Sequence, residues 1–433
     1  MLRGRLRGEN LGDSIKLIFM QRAIDAHGSQ LDVPVKIYRK ECPEIPFVND
    51  LAGMQYAPWI EYVDNIKMDA KGVVCIFEGH LPIEYSFSEY IDKDVEVGHK
   101  YVYWVEANSY GVHTVLGPLG MKVRSRYTWW PCEKATEKMR ELEAYFPSLV
   151  TVKQYGESTR HKPMMGMTVG NQDKCVAIAG AVHATESSHE IILKMIEFML
   201  LVKPSLFEKI GLAVLPCVSP DVRDDAVVGG EPMYMRLNAN GVDLNRNFDS
   251  HWSQQFVYNE DNTRFGTTVY MGPYPNSEAE TQTAIRFLES CNPIACFVFD
   301  GGSVITEDKL YYYCTKFVSD ELFDYTTKLA TLFSKTFRAD HEGCGTFTAE
   351  PIEYPYEEPE FKNSGFPIGT MQGYACERFR IPVWNMQYAY SEEGRMRLTD
   401  DTTPELLQKW SIRQAYAYMA VLEELAKSDK RSW

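Results

Sequence analysis

A chain of 433 residues with 45% apolar content exceeds what one hydrophobic core organises, so two domains are expected. A net charge of -15 argues against nucleic acid as a partner, because phosphate recognition needs clustered Lys and Arg; the one basic run, Met1-Leu-Arg-Gly-Arg-Leu-Arg, reads as a solvated terminus. No stretch reaches the roughly 18 apolar residues that cross a bilayer and no apolar signal core opens the chain, so it reads as soluble, with the cytoplasm favoured.

Residues 1–127 alternate in the manner of strands, as in Val33-Pro-Val-Lys-Ile-Tyr and Gly72-Val-Val-Cys-Ile-Phe, with few helical patterns between them. The run Val95-Glu-Val-Gly-His-Lys-Tyr-Val-Tyr-Trp-Val-Glu-Ala-Asn-Ser-Tyr-Gly, then Gly117-Pro and Met121-Lys-Val-Arg, resembles the last two strands of a fibronectin type III β-sandwich. That resemblance covers residues 50–127 and leaves 1–49 as an additional segment. A spacer or stabilising module without chemistry is the expected role.

From Glu133 to residue 428 the pattern changes to helix and strand in alternation. Helices are predicted at Glu133–Tyr145, Ser188–Leu201, Ser277–Ser290, Asp320–Phe337, Met371–Arg378 and Pro404–Ala426. Strands are predicted at Met164–Val169, Cys175–Ala181, Leu212–Cys217, Ile294–Asp300 and Ile381–Gln387. Apolar strands alternating with helices imply a parallel or mixed sheet covered on both faces. Ten cysteines, without a CxxC pair and often inside apolar runs such as Ala295-Cys296-Phe-Val-Phe, read mostly as reduced core thiols of a reducing compartment.

Two motifs carry chemistry. In Cys175-Val-Ala-Ile-Ala-Gly-Ala-Val-His183-Ala-Thr-Glu186 a histidine and a glutamate follow a buried strand, where α/β sheets bind ligands, and both are good zinc donors. In Arg236-Leu-Asn-Ala-Asn-Gly-Val-Asp-Leu-Asn245-Arg246-Asn-Phe248 two arginines offer the planar donor fork that grips a carboxylate through paired hydrogen bonds. Together these motifs resemble the zinc carboxypeptidase A/E family. Further similarity lies in Ser219-Pro-Asp221, in Gly272-Pro-Tyr-Pro-Asn-Ser277-Glu-Ala-Glu-Thr, where Ser277 is expected to cap a helix, and in Gly369-Thr-Met-Gln-Gly-Tyr-Ala leading to Gln387.

The resemblance implies a mixed central sheet of about eight strands with helices on both faces, after an N-terminal β-sandwich. It also implies that Asn245 and Arg246 clamp a substrate's terminal carboxylate, that Arg236 polarises the scissile carbonyl, and that zinc sits on His183, Glu186 and a third ligand.

The chain departs from the pattern at that third ligand, where Asp300-Gly301-Gly302-Ser303 stands in place of a histidine context. It departs again at the general base, where Gln387 replaces glutamate; an amide keeps the shape and loses the proton chemistry. The capping tyrosine should fall near Ser364, Gly365 or Phe366, none of which carries a phenol; Tyr354 and Tyr356 are the nearby substitutes. His189 and His251 read as packing or surface residues.

Three readings follow. The leading one is a carboxypeptidase-like protein that binds peptide C-termini or similar carboxylates, with hydrolysis lost or strongly reduced. The second is an active metallocarboxypeptidase with a His-Glu-Asp zinc site. The third is an assembly protein with a vestigial pocket.

Overall fold

The computed structural model describes residues 2–21, 33–43, 63–109, 111–184, 188–230, 236–254, 263–267, 269–299, 309–312, 314–338, 369–387, 403–429 and 432–433. The chain forms two compact units, one of Met1–Val48, Gln55–Trp129 and Asp224–Tyr234, the other of Asn49–Met54, Trp130–Arg223 and Met235–Trp433.

The first unit holds β1 (Leu2–Asn10), β2 (Ile15–Gln21), β3 (Val35–Glu41), β4 (Val74–Gly79), β5 (Phe87–Asp92), β6 (Lys100–Ser109) and β7 (Val112–Lys122). They pair antiparallel in two sheets, ordered β1-β2-β5 and β4-β3-β6-β7. Period-two burial explains them: Ile15, Leu17 and Phe19 of one sheet meet Val35, Ile37, Tyr103 and Val105 of the other in a shared core. The basic run is therefore no loose terminus. Leu2 and Leu6 turn into the core while Arg3, Arg5 and Arg7 remain exposed, so the same alternation that solvates the arginines makes the segment a strand. Residues 1–49, expected as an addition, supply β1, β2 and β3.

The second unit runs α1 (Cys132–Tyr145), β8 (Val150–Glu157), β9 (Pro163–Val169), β10 (Cys175–Gly180), α2 (His189–Val202), β11 (Gly211–Leu215) and the start of α3 (Pro220–Val227). It continues with α4 (Ala279–Cys291), β12 (Ala295–Phe299), β13 (Lys309–Tyr311), α5 (Cys314–Val318), α6 (Asp320–Arg338), α7 (Met371–Phe379), β14 (Val383–Gln387) and α8 (Pro404–Lys427). The seven described strands form one mixed sheet in the order β13-β14-β12-β10-β11-β9-β8. Its centre, β14-β12-β10-β11, is parallel, and β13, β9 and β8 join antiparallel.

Both faces of the central strands are apolar, which is why these segments read as continuous hydrophobic runs. One face packs Ala177, Ala179, Ala213, Leu215, Cys296 and Val298 against Ala284 and Phe287 of α4 and Met371 and Ala375 of α7. On the other, Phe297 stacks on Trp384 at 3.8 Å between ring centres, and Phe333 of α6 and Tyr418 of α8 close over them. Trp384 Nε1 is satisfied within this cluster by the Tyr418 hydroxyl at 3.2 Å. No helix among the described residues is long and apolar enough to cross a membrane.

The expected cap of α4 is different in the structure. Ser277 lies outside the helix, its Oγ bonded to Asn247 and Glu278, and the N-cap residue is Glu278 without a side-chain cap.

Candidate active site

The parallel strands end in register. Gly180 of β10 lies opposite Phe299 of β12, and Phe299 lies opposite Met386 of β14. β12 therefore ends at Phe299 and β14 at Gln387 on the same edge of the sheet at which β10 gives way to the turn before His183.

At that edge the chain leaves β10 through a turn that needs a left-handed residue, and Ala181 takes it with φ 46°. An alanine there is strained, and strain of this kind persists only when neighbours hold it. Here the loop after β11 does so, with Val218 N donating to Gly180 O at 2.9 Å and Ser219 N to Ala181 O at 3.0 Å. Asp221 of the Ser-Pro-Asp turn is structural, accepting from Ser158 Oγ at 2.7 Å and Arg160 N at 2.8 Å.

This turn delivers His183 into the interior, where its Nε2 lies 3.0 Å from Oδ1 of Asp243. Asp243 also takes Arg236, through Nε at 2.9 Å and Nη2 at 2.7 Å on Oδ2. It further accepts from the backbone N of Asn245 at 3.0 Å, starting the short 3-10 turn Leu244–Arg246. Burial pushes the Asp243 carboxyl up, but the charges of Arg236, His183 and Arg246 outweigh it and hold the group well below the usual carboxylate range. His183, Arg236, Asn245 and Arg246 are thus brought together around a carboxylate that the sequence reading did not single out. Its signal was present: an acid two residues before an Asn-Arg pair, after a glycine turn in which Gly241 has φ 75°.

The loop is fixed by its asparagines. Asn238 Oδ1 accepts from the backbone N of Asn240 and of Val242, each at 3.0 Å. Asn247, fully buried, donates to Met271 O at 2.9 Å and Ser277 Oγ at 2.8 Å and accepts from Glu278 N at 3.1 Å. Gly272 passes so close that a Cβ there would lie 2.5 Å from Asn247 Nδ2. Asn245 Oδ1 accepts from Met371 N, at the start of α7, at 3.3 Å, and Arg246 Nη1 donates to Asn245 O at 2.7 Å.

Glu186, Asp300, Ser364, Gly365, Phe366, Tyr354 and Tyr356 lie outside the described residues, as does the side chain of Gln387. His189 is buried with Nε2 on Trp130 O at 2.8 Å, and His251 lies 3.0 Å from Glu377. Among the described residues no three His, Cys, Asp or Glu side chains are grouped to hold a metal. The chemistry of the donor set nevertheless suits zinc at His183. A carboxylate on one ring nitrogen fixes the tautomer and raises the basicity of the other, the usual support of a metal-binding histidine.

A mixed α/β sheet with a His just past a central parallel strand, paired to an Asp that shares its loop with two Arg, is the frame of a metallocarboxypeptidase. Residues 135–411 match the zinc carboxypeptidase family, and the chain belongs to it. The human carboxypeptidase N catalytic chain is 29% identical over 210 residues, 41% of this chain and 44% of that one. Rat mast cell carboxypeptidase A is 26% identical over 180 residues, 38% of this chain and 42% of that one. The matched stretches therefore span less than half of these relatives. In fold, carboxypeptidase A from Helicoverpa armigera is similar with a TM-score of 0.58 at 15% identity, over 71% of this chain and 76% of that one. Bovine thrombin-activatable fibrinolysis inhibitor, solved in complex with tick carboxypeptidase inhibitor, gives 0.55 at 16%, over 70% and 99%.

Proposed function

We propose that the chain binds the C-termini of peptides or proteins, or similar small carboxylates, and that its own hydrolysis is lost or strongly reduced. The observation that carries this reading is the placement of Arg236, Asn245 and Arg246 around one buried carboxylate, with Arg236 paired to Asp243 and Arg246 near enough for its charge to act on it. A planar guanidinium grips a carboxylate through two parallel hydrogen bonds, which suits the free C-terminus of a peptide as ligand. Asn245 and Arg246 would hold the terminal carboxylate and Arg236 the adjacent carbonyl.

His183, Glu186 and Asp300 are the residues that would hold zinc. Bound there, the ion would polarise the carbonyl as a Lewis acid. Gln387 occupies the general-base position, and an amide takes up no proton at neutral pH, so the step worth roughly 10²- to 10⁴-fold is missing. The pairing of His183 with Asp243 favours a second reading, a working peptidase with a His-Glu-Asp metal site. Residues 1–127 are proposed to be a β-sandwich without chemistry, fibronectin type III-like from about residue 50 and with an additional N-terminal segment, and residues 133–428 a carboxypeptidase-like domain. The free state of all nine described cysteines fits a reducing compartment such as the cytoplasm.

Calorimetry with a short peptide and its C-terminally amidated twin tests the binding reading. Binding of the free acid alone is expected, weakened about 10- to 100-fold by Arg246→Ala, in line with the roughly 1.5 to 3 kcal/mol of a charged hydrogen bond. Equal binding of both peptides, or no effect of Arg246→Ala, sinks it. Hydrolysis of a blocked dipeptide by zinc-loaded protein, abolished by a chelator and by His183→Ala, would establish the second reading instead.

A further inference from the structure

A cluster of thiols and basic groups that the His183–Asp243 pairing does not use lies where α1 begins and the loop after β11 turns into α3. Cys132 is the first residue of α1, and its Sγ lies 3.7 Å from both Cys217 Sγ and Pro220 O, sharing its one proton between them. Trp130, just before α1, is anchored to both neighbouring helices. Its N donates to Glu190 Oε1 at 2.9 Å, and its O receives His189 Nε2 at 2.8 Å and Arg223 Nε at 3.2 Å. Arg223 is also paired with Glu190 inside the protein. Fixing the Trp130 peptide fixes Cys132 two residues on, so the two sulfurs are held together by a buried framework rather than by chance on a mobile surface.

We propose that Cys132 and Cys217 are a modification site, a thiol pair that hydrogen peroxide closes to a disulfide. A disulfide bond measures about 2.05 Å, so the sulfurs need to approach by less than 2 Å. Cys132 is half-buried and Cys217 is 7% exposed, an environment that admits a two-oxygen oxidant and keeps out a bulky disulfide such as oxidised glutathione.

Cys217 is the nucleophile. The hydrogen bond from Cys132 holds its thiol well below the ordinary range, burial opposes this, and His189 and Arg223 add to the lowering. His189 Nδ1 is buried with no hydrogen-bond partner among the described residues. Other buried thiols are pushed the opposite way: Cys296 by burial, Cys175 and Cys376 by their thiol neighbours Cys291 and Cys314 and by burial.

In the first step the Cys217 thiolate attacks one peroxide oxygen, the O–O bond breaks, and hydroxide leaves and takes back the proton Cys217 had released, forming water. In the second, Cys132 sulfur attacks the resulting sulfenic acid, the S–O bond breaks, and the Cys132 proton leaves with that oxygen as water. Two thiols and one peroxide give one disulfide and two waters, the two sulfurs supplying the two electrons.

The test treats the reduced full chain with a small excess of hydrogen peroxide, blocks remaining thiols with N-ethylmaleimide, and maps peptides without reductant. A Cys132–Cys217 crosslink is expected, reversible by dithiothreitol and formed at least about tenfold faster than Cys175, Cys296 or Cys376 is lost. Cys132→Ser should stop at a dimedone-reactive sulfenic acid on Cys217. Full alkylation of Cys132 and Cys217 after exposure, or oxidation spread evenly over the buried thiols, overturns the proposal. Should Cys132→Ser fail to fold, the peptide map of the unaltered chain decides by itself.

Discussion

A carboxylate sealed from water stays ionised only when cations face it, and Asp243 has Arg236, His183 and Arg246 to do so. Its removal takes the charged partner from two buried groups at once. Asp243→Asn is therefore expected to cost about 3 kcal/mol, the lower end for breaking a buried ion pair. The pH dependence has a definite sign. The folded carboxyl lies below its unfolded value of about 3.9, so its contribution is complete above that pH and is lost as pH falls towards the folded value. Urea unfolding of wild type and Asp243→Asn should show the full gap at pH 7 and a narrower one near pH 3. A gap that does not change with pH would mean that the carboxyl is not depressed.

At the scale of elements, the site rests on helix ends. Thr370 caps α7, accepting from Gly373 N at 3.1 Å, and the next residue, Met371, donates its N to Asn245 Oδ1. Thr370→Ala should cost about 1 kcal/mol, with Thr370→Ser close to wild type, measured by denaturant midpoint. Loss of the cap also loosens the turn that holds the Asn245 amide, so the alanine variant should bind a C-terminal peptide more weakly than the serine variant. Equal affinity would separate the cap from the site. The face of the sheet under α6 and α8 is more demanding. Phe333 closes over Trp384 and Tyr418, so Phe333→Ala should cost about 3 to 5 kcal/mol by leaving a cavity the stacked rings cannot fill, seen as a lower melting temperature.

For the whole molecule, apolar clusters inside each unit carry the stability, with no disulfide among the described cysteines. Dithiothreitol should leave the melting temperature of protein never exposed to oxidant unchanged, and such protein, once denatured, should alkylate all nine of these thiols. A fall in melting temperature with reductant would reveal a structural crosslink.

Much of this could be read without coordinates. The six predicted helices fall within two residues of their expected ends, while the short α3 and α5 were not expected, and β10, β12 and β14 lie where unbroken apolar runs placed them, because periodicity is a local property of the chain. The zinc carboxypeptidase motifs were legible for the same reason: Arg236, Asn245 and Arg246 stand close together in one segment. What the tertiary structure alone decided depends on partners far apart in sequence. His183 meets Asp243 across 60 residues, and Ser277 is drawn from its expected cap by Asn247 across 30. The basic Met1–Arg7 run becomes a strand because a distant sheet buries Leu2 and Leu6. A hydrogen-bonding group takes whichever partner the packed fold brings to it, and a sequence shows only the partners within a turn or two.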